Sequence, residues 1–179
     1  MSGLAQRPEL RPAREHAPGA LAALECAYEA ACLAVDPALA DCLRRRVAVS
    51  LGLVTPAGSA PAVAEREGCF EFADQFVAYV PGVTEAQRTA VAVELGDDQR
   101  LELARMLYVF DMADRLVLAL GRLYEPRGDG GGSVPRVEPR ALGAAVDALH
   151  AAAMQLHAVD PVTTELVRLH CARYHDCKT

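Results

Sequence analysis

The chain has 179 residues, of which 52% are hydrophobic and 5% aromatic, and its net charge at pH 7 is −6. Alanine fills 34 positions, and 17 of the 18 basic residues are arginine, which leaves Lys178 as the one lysine. The apolar half of the sequence excludes a chain that is disordered throughout. The negative charge argues against a nucleic-acid partner, and the scarcity of lysine argues against Schiff-base chemistry.

The first residues indicate neither secretion nor a membrane anchor. Residues 1–18 carry Arg7, Arg11 and Arg14 between prolines, without the apolar segment of a secretory signal. No apolar run in the chain reaches the roughly 18 residues that a membrane helix needs. We therefore predict a cytoplasmic protein that makes no membrane contact and has a mobile tail over residues 1–18.

Six cysteines are too few and too irregularly spaced to predict a disulfide scaffold. Cys26, Cys32 and Cys42 fall in alanine-rich helical segments, where a free cysteine usually acts as a small buried apolar side chain. The run Arg44–Arg46 is predicted to be a solvated helix face rather than a phosphate site.

Alanine, leucine, glutamate and arginine favour helix, and no period-2 strand pattern extends over five residues, so the sequence predicts an all-α protein. The first predicted helix covers residues 20–35. Asp36-Pro37 then supplies an N-cap followed by proline at the first helical position, and it starts a second helix that ends near residue 52. Residues 53–64 contain proline and glycine and are predicted to form a loop.

A third predicted helix, residues 65–80, places Phe72, Phe76 and Tyr79 on one apolar stripe. Thr84 and Gln87 have the pattern of a capping box, which starts a short helix to residue 95. A longer helix follows to about residue 124. Its predicted inward side chains are Leu103, Leu107, Phe110, Leu116 and Leu120.

Residues 125–139 are rich in glycine and proline and are predicted to be a flexible linker. Helix returns over residues 141–157. A second Asp-Pro pair, Asp160-Pro161, then starts another helix through residue 173.

The two Asp-Pro pairs indicate an internal repeat with a shift of 124 residues. Residues 34–37 and 158–161 both read Ala-Val-Asp-Pro, and Arg44 aligns with Arg168. Eight of thirty positions are identical between residues 20–49 and 144–173. We therefore predict one helical repeat over residues 19–124 and a partial second repeat over residues 140–179.

The segment Val159–Cys177 resembles the start of the active-site motif in the alkylhydroperoxidase D-like, or carboxymuconolactone decarboxylase, superfamily. In that motif an Asp-Pro pair and a Glu-Leu-Val-Arg-Leu helix lead to a Cys-x-x-Cys pair, and here Glu165 lies twelve residues before Cys177. Residues 72–77 and 107–111 resemble the helices that pack behind such a site. The resemblance implies an alkylhydroperoxidase D-like helical bundle, a homo-oligomer, and peroxide reduction or a disulfide relay.

The resemblance also implies the catalytic residues, which are Cys177 as the redox cysteine, Glu165 as the proton relay, and His175. A peroxide-reducing cysteine must be a thiolate, and a second thiol resolves its sulfenic acid as a disulfide. The second cysteine of the pair would fall one residue beyond Thr179, and Leu53 occupies the cysteine position of the first repeat. The implied partners are a peroxide or another small molecule and a thiol or dithiol reductant, with no cofactor and no metal.

The same region gives weaker indications of two other features, a zinc site and a disulfide. Four of the five histidines lie in the last thirty residues, near two cysteines, but their spacing matches no established zinc pattern. These residues are His150, His157, His170, His175, Cys171 and Cys177. A disulfide between the two cysteines requires the helix to end between them, since six helical residues separate α-carbons by about 9 Å.

Three hypotheses about function remain open from the sequence. The chain is a thiol-dependent peroxidase or disulfide relay that uses Cys177 and Glu165. Alternatively, it is a non-catalytic helical protein that keeps the bundle for oligomerisation or for binding a partner. In the third hypothesis it is a truncated form of a two-repeat protein whose catalytic half lies largely beyond Thr179.

Overall fold

The protein is all-α in the residues that its computed structural model describes, which are 4–53, 66–124, 135, 137–138, 140–157 and 160–174. Every secondary-structure element among them is helical, which confirms the predicted fold class. The α-helices are α1 (Arg11–His16), α2 (Pro18–Ala31), α3 (Pro37–Ser50), α4 (Glu67–Ala78), α5 (Glu85–Leu95), α6 (Asp97–Leu123), α7 (Leu142–Met154) and α8 (Pro161–Tyr174). The 3-10 turns are Leu4–Gln6, Pro8–Leu10 and Val80–Gly82.

Helix boundaries follow the capping signals in the sequence. The Asp36 carboxylate accepts hydrogen bonds from the backbone N–H groups of Ala38, at 3.0 Å, and Leu39, at 3.2 Å, so α3 begins where predicted. The capping box of α5 is formed, because the Thr84 N–H donates to Gln87 Oε1 and the Gln87 N–H donates to Thr84 Oγ1. Gly96 has a φ of 89° and forms the break between α5 and α6.

The core is built around α6, the longest described helix, which packs against α2, α3, α4, α5 and α7. Its central residues Leu103, Leu107 and Phe110 are fully buried, as predicted. Leu116 and Leu120, closer to its end, are only half-buried. Phe110 also meets the Tyr28 ring of α2 edge-on, with centroids 5.3 Å apart.

Helix α7 completes this core by packing on α2 and α6. Its buried residues are Leu142, Ala145, Val146 and Leu149. They belong to the same apolar cluster as the buried residues of α2 to α6. The first helix of the predicted second repeat is therefore part of the core of the first one. The predicted linker before it lies largely outside the described residues.

The predicted mobile tail is wrong for residues 4–16. This segment forms two 3-10 turns and α1, and it packs on α2 and α6. Leu4 is 3% exposed and Leu10 is fully buried, so two leucines anchor the segment to the core. The prolines that suggested disorder instead occupy the first positions of helical turns, where a missing N–H is harmless.

The helix positions reproduce the 124-residue shift seen in the sequence. Helices α2 and α7 begin at residues 18 and 142, while α3 and α8 begin at residues 37 and 161 and both have 14 residues. Asp160 caps α8 by accepting from the N–H of Thr163 at 3.0 Å and from its hydroxyl at 2.6 Å. Each Asp-Pro pair thus starts a helix of the same length.

Two smaller predictions need correction. Tyr79 follows the end of α4 and is 47% exposed, so it does not continue the apolar stripe of Phe72. In the arginine run, Arg45 and Arg46 are exposed, whereas Arg44 is half-buried and donates to Asp41 at 2.8 Å. Arg44 also interacts electrostatically with Tyr28 of α2.

Candidate docking surface on helix α8

Only one of the three predicted catalytic residues lies in the described part of the chain. Cys177 and His175 lie outside the described residues, and Glu165 is exposed on α8. No group of three or more histidine, cysteine or acidic side chains in the described part of the chain is placed to hold a metal ion. His150 of the weaker zinc reading instead contacts Tyr108 of α6, with 2.9 Å between the hydroxyl oxygen and Nε2.

Helix α8 differs from the other helices in what it exposes. Val162 is 69% exposed, Leu166 60%, Val167 57% and Leu169 47%. No described helix makes an extensive contact with α8. An amphipathic surface helix normally turns its apolar residues inward, so these four side chains form the candidate docking surface.

Comparison with α3 shows how unusual this exposure is. The residues 124 positions before Leu166 and Val167 are Cys42 and Leu43, and both are buried. Helix α3 gains this burial from α4 and α6, which pack against it. The same positions therefore belong to the core in α3 and to the surface in α8.

A buried polar cluster is the second notable feature. Asp114 of α6 is 2% exposed, and its Oδ1 lies 3.8 Å from Nη1 of Arg7. Burial raises the pKa of Asp114 to about 6, although Arg7 and Arg44 oppose the shift. Arg44 donates to Asp41 at 2.8 Å and interacts electrostatically with Tyr28.

This cluster joins the N-terminal segment to α2, α3 and α6. Sequence reasoning missed it, although one signal was present. Asp114 lies four residues after Phe110 and three before Val117, which places a carboxylate on the apolar side of α6. Its observed contacts hold elements of the core together.

The cysteine at the start of α4 is not a reactive thiolate. Cys69 is fully buried, and burial together with the neighbouring Glu94 carboxylate raises the pKa of its thiol to about 12. Glu94 accepts hydrogen bonds from the N–H groups of Gly68, at 2.7 Å, and Cys69, at 3.0 Å. The Arg66 guanidinium donates to the Glu94 carbonyl oxygen. Glu94 thus caps α4 from α5, and the thiol stays protonated at neutral pH.

Comparisons with known proteins give two relatives and no activity. The chain is 36% identical over 112 residues to the uncharacterized protein MT2376 of Mycobacterium tuberculosis strain CDC 1551 / Oshkosh. It has the same identity, over the same length, to the uncharacterized protein Rv2313c of strain ATCC 25618 / H37Rv. The match covers 60% of this chain and 39% of each relative, so the chain spans about two fifths of the relatives' length. No protein-family model and no solved structure matches the chain.

The described helices also bear on membrane contact. None of them combines the length and the apolar character that crossing a bilayer requires.

Proposed function

We propose that this chain is a non-catalytic helical protein that associates with another polypeptide through α8. The exposure of Leu166 and Val167 carries the proposal, since the matching positions of α3 are core residues. Burial of apolar surface is the main favourable term in protein association. Helix α8 therefore has the side chains of a packed helix without a described helix against it.

The shape of the apolar pattern supports the same function. Leu166 and Val167 are adjacent and thus point about 100° apart around the helix, so apolar side chains lie on more than one side of α8. A helix with apolar residues on several sides is normally surrounded by protein. Helices of this length are marginal in water without such packing.

Substitutions in α3 and α8 test whether α8 is a docking helix or a part of the monomer core. Val167→Asp should change the free energy of unfolding by no more than about 0.5 kcal/mol, because the side chain is already in water. Leu43→Asp should cost at least about 3 kcal/mol, because it buries an unpaired charge. Urea unfolding of the full chain, followed by circular dichroism, measures both. Equal losses in the two variants would show that α8 belongs to the core and would remove the proposal.

A thiol-dependent peroxidase with an alkylhydroperoxidase D-like bundle is the second candidate. The exposed position of Glu165 favours it, since a carboxylate open to solvent can relay a proton. The Cys177 thiolate would attack the peroxide and become a sulfenic acid as an alcohol or water leaves, and an added dithiol would return it to the thiol.

Peroxide consumption by the full chain with dithiothreitol as reductant tests this second candidate. Turnover that disappears in Cys177→Ser and persists in Cys69→Ser would support it. Turnover by neither the wild type nor the Cys69→Ser control would exclude it.

A further inference from the structure

One stripe of α8 is only partly explained by its likeness to α3. Val162, Leu166 and Leu169 are spaced by four and three residues and so lie on one side of the helix. In α3 the positions that match Val162 and Leu169 are Ala38 and Arg45, and both are exposed. Leu166 matches the buried Cys42, so Val162 and Leu169 extend the apolar surface of α8 beyond the one that α4 and α6 cover in α3.

We propose that a second copy of this chain covers this stripe, with the two α8 helices side by side and antiparallel. The proposal rests on the proposed function and names its partner. A twofold interface needs a patch that complements itself. The charges of α8 and the order of its apolar residues provide that complementarity.

The charges along α8 favour the antiparallel arrangement. Asp160 caps the start of α8 and Glu165 lies in its first half, whereas Arg168, His170 and Arg173 lie in its second half. Asp160, Glu165, His170 and Arg173 are exposed. An antiparallel pair sets the acidic half of each helix against the basic half of the other, and it also opposes the two helix dipoles. A parallel pair would bring like charges together.

The apolar residues fit the same arrangement. When two such helices pair about the midpoint of α8, Leu166 of one copy lies opposite Leu169 of the other. Val162 then lies opposite Arg173, which continues the stripe four residues beyond Leu169 and can lay its aliphatic stem on the valine.

Sedimentation velocity of the full-length chain over a wide concentration range tests the proposal. We expect a reversible dimer whose dissociation constant rises at least about tenfold in Leu166→Asp. Leu101→Asp is the matched control, because Leu101 is 54% exposed, close to the 60% of Leu166, but lies on α6 and outside the candidate docking surface. It should leave the dimer intact. Circular dichroism shows that each variant keeps its helices, and Leu169→Asp repeats the test if Leu166→Asp does not fold.

Charge reversal tests the orientation. Because Arg173 lies opposite Val162, it is within about one helical turn of Glu165 of the other copy. Arg173→Glu alone and Glu165→Arg alone should each weaken the dimer, while the double variant should recover most of the affinity. Recovery supports antiparallel pairing, and additive weakening overturns it.

The outcomes separate this proposal from the proposed function. A chain that is monomeric at every concentration, or a dimer that Leu166→Asp leaves intact, overturns self-association. If Val167→Asp dissociated the dimer and Leu166→Asp did not, the dimer contact would lie on the side of α8 that matches the buried side of α3. That result would also overturn the proposed pairing. The proposed function fails separately, when α8 substitutions unfold the monomer.

Discussion

At the scale of single residues, Asp114 sets the pH dependence of the core. Its pKa is raised from 3.8 to about 6 by burial, so the folded protein holds this proton more tightly than the unfolded chain does. Between these two pKa values the folded state binds more protons. The contribution of Asp114 to stability therefore falls as the pH rises from about 4 to about 6, and it is lost above the folded pKa.

Asp114→Asn should remove most of this dependence, because asparagine stays neutral. The rise of the Asp114 pKa from 3.8 to about 6 means that ionising this carboxyl costs about 3 kcal/mol more in the folded protein than in the unfolded chain. We therefore expect Asp114→Asn to be more stable than the wild type at neutral pH by at most this amount. Loss of the ion pair with Arg7 reduces the gain. Urea unfolding midpoints measured between about pH 4 and about pH 6 give the slope of stability against pH. The exposed Asp98→Asn should follow the wild type, and an unchanged slope in Asp114→Asn would contradict the assignment.

At the scale of helices, the sequence was most informative where a helix begins. The caps at Asp36, Thr84 and Asp160 all form, because each depends on residues no more than three positions away. The cap of α4 was not predictable, since its acceptor Glu94 comes from α5, more than twenty residues later. Local chemistry can be inferred from neighbours in the sequence, whereas contacts between helices cannot.

The candidate site shows the same division. Glu165 could be placed on a helix from the sequence, and its exposure agrees with a surface role. The docking surface itself could not be inferred, because Leu166 and Val167 have the pattern of core residues. Only the packing of α4 and α6, which lie on α3 and make no extensive contact with α8, reveals the difference.

Two glycines in first helical turns should respond in opposite directions to alanine. A Cβ on Gly68 would lie 2.8 Å from Cβ of Ala90 and 2.8 Å from Oε1 of Glu94, so Gly68→Ala should push α4 from α5 and cost about 1–3 kcal/mol. A Cβ on Gly19 meets nothing within 4 Å, so Gly19→Ala should stabilise α2 by up to about 1 kcal/mol. Thermal unfolding of both variants checks the pair. A stabilised Gly68→Ala would show that the two helices are not in close contact.

At the scale of the whole molecule, the core is closed by the N-terminal segment and by α7. The N-terminal segment covers α2 and α6 through Leu4 and Leu10, and α7 covers the same two helices. A composition rich in arginine and proline suggested a tail at one end, and a glycine-rich segment suggested a separate unit at the other. Both expectations overlooked a few apolar residues whose partners are distant in sequence.

A pair of leucines tests the role of the N-terminal segment. Leu10→Ala should cost about 2–5 kcal/mol, because it leaves a cavity at a fully buried position. Leu33→Ala, at a position 78% exposed, should change the free energy of unfolding by no more than about 0.5 kcal/mol. Chemical unfolding of the full chain compares them. Similar changes in the free energy of unfolding for the two variants would support the prediction of a mobile tail.

The packing of α7 on α2 has a consequence for the chain during its synthesis. Helix α2 leaves the ribosome before α7, which covers it and begins more than a hundred residues later in the chain. Until then the apolar side of α2 that α7 will cover is open to water, and nascent chains in this state are prone to aggregate. Because this contact joins residues far apart in the sequence, folding should be slower than in a helical bundle whose helices pack mainly on their neighbours in the sequence. The nascent protein thus has the greatest need of a chaperone between the completion of α6 and the arrival of α7.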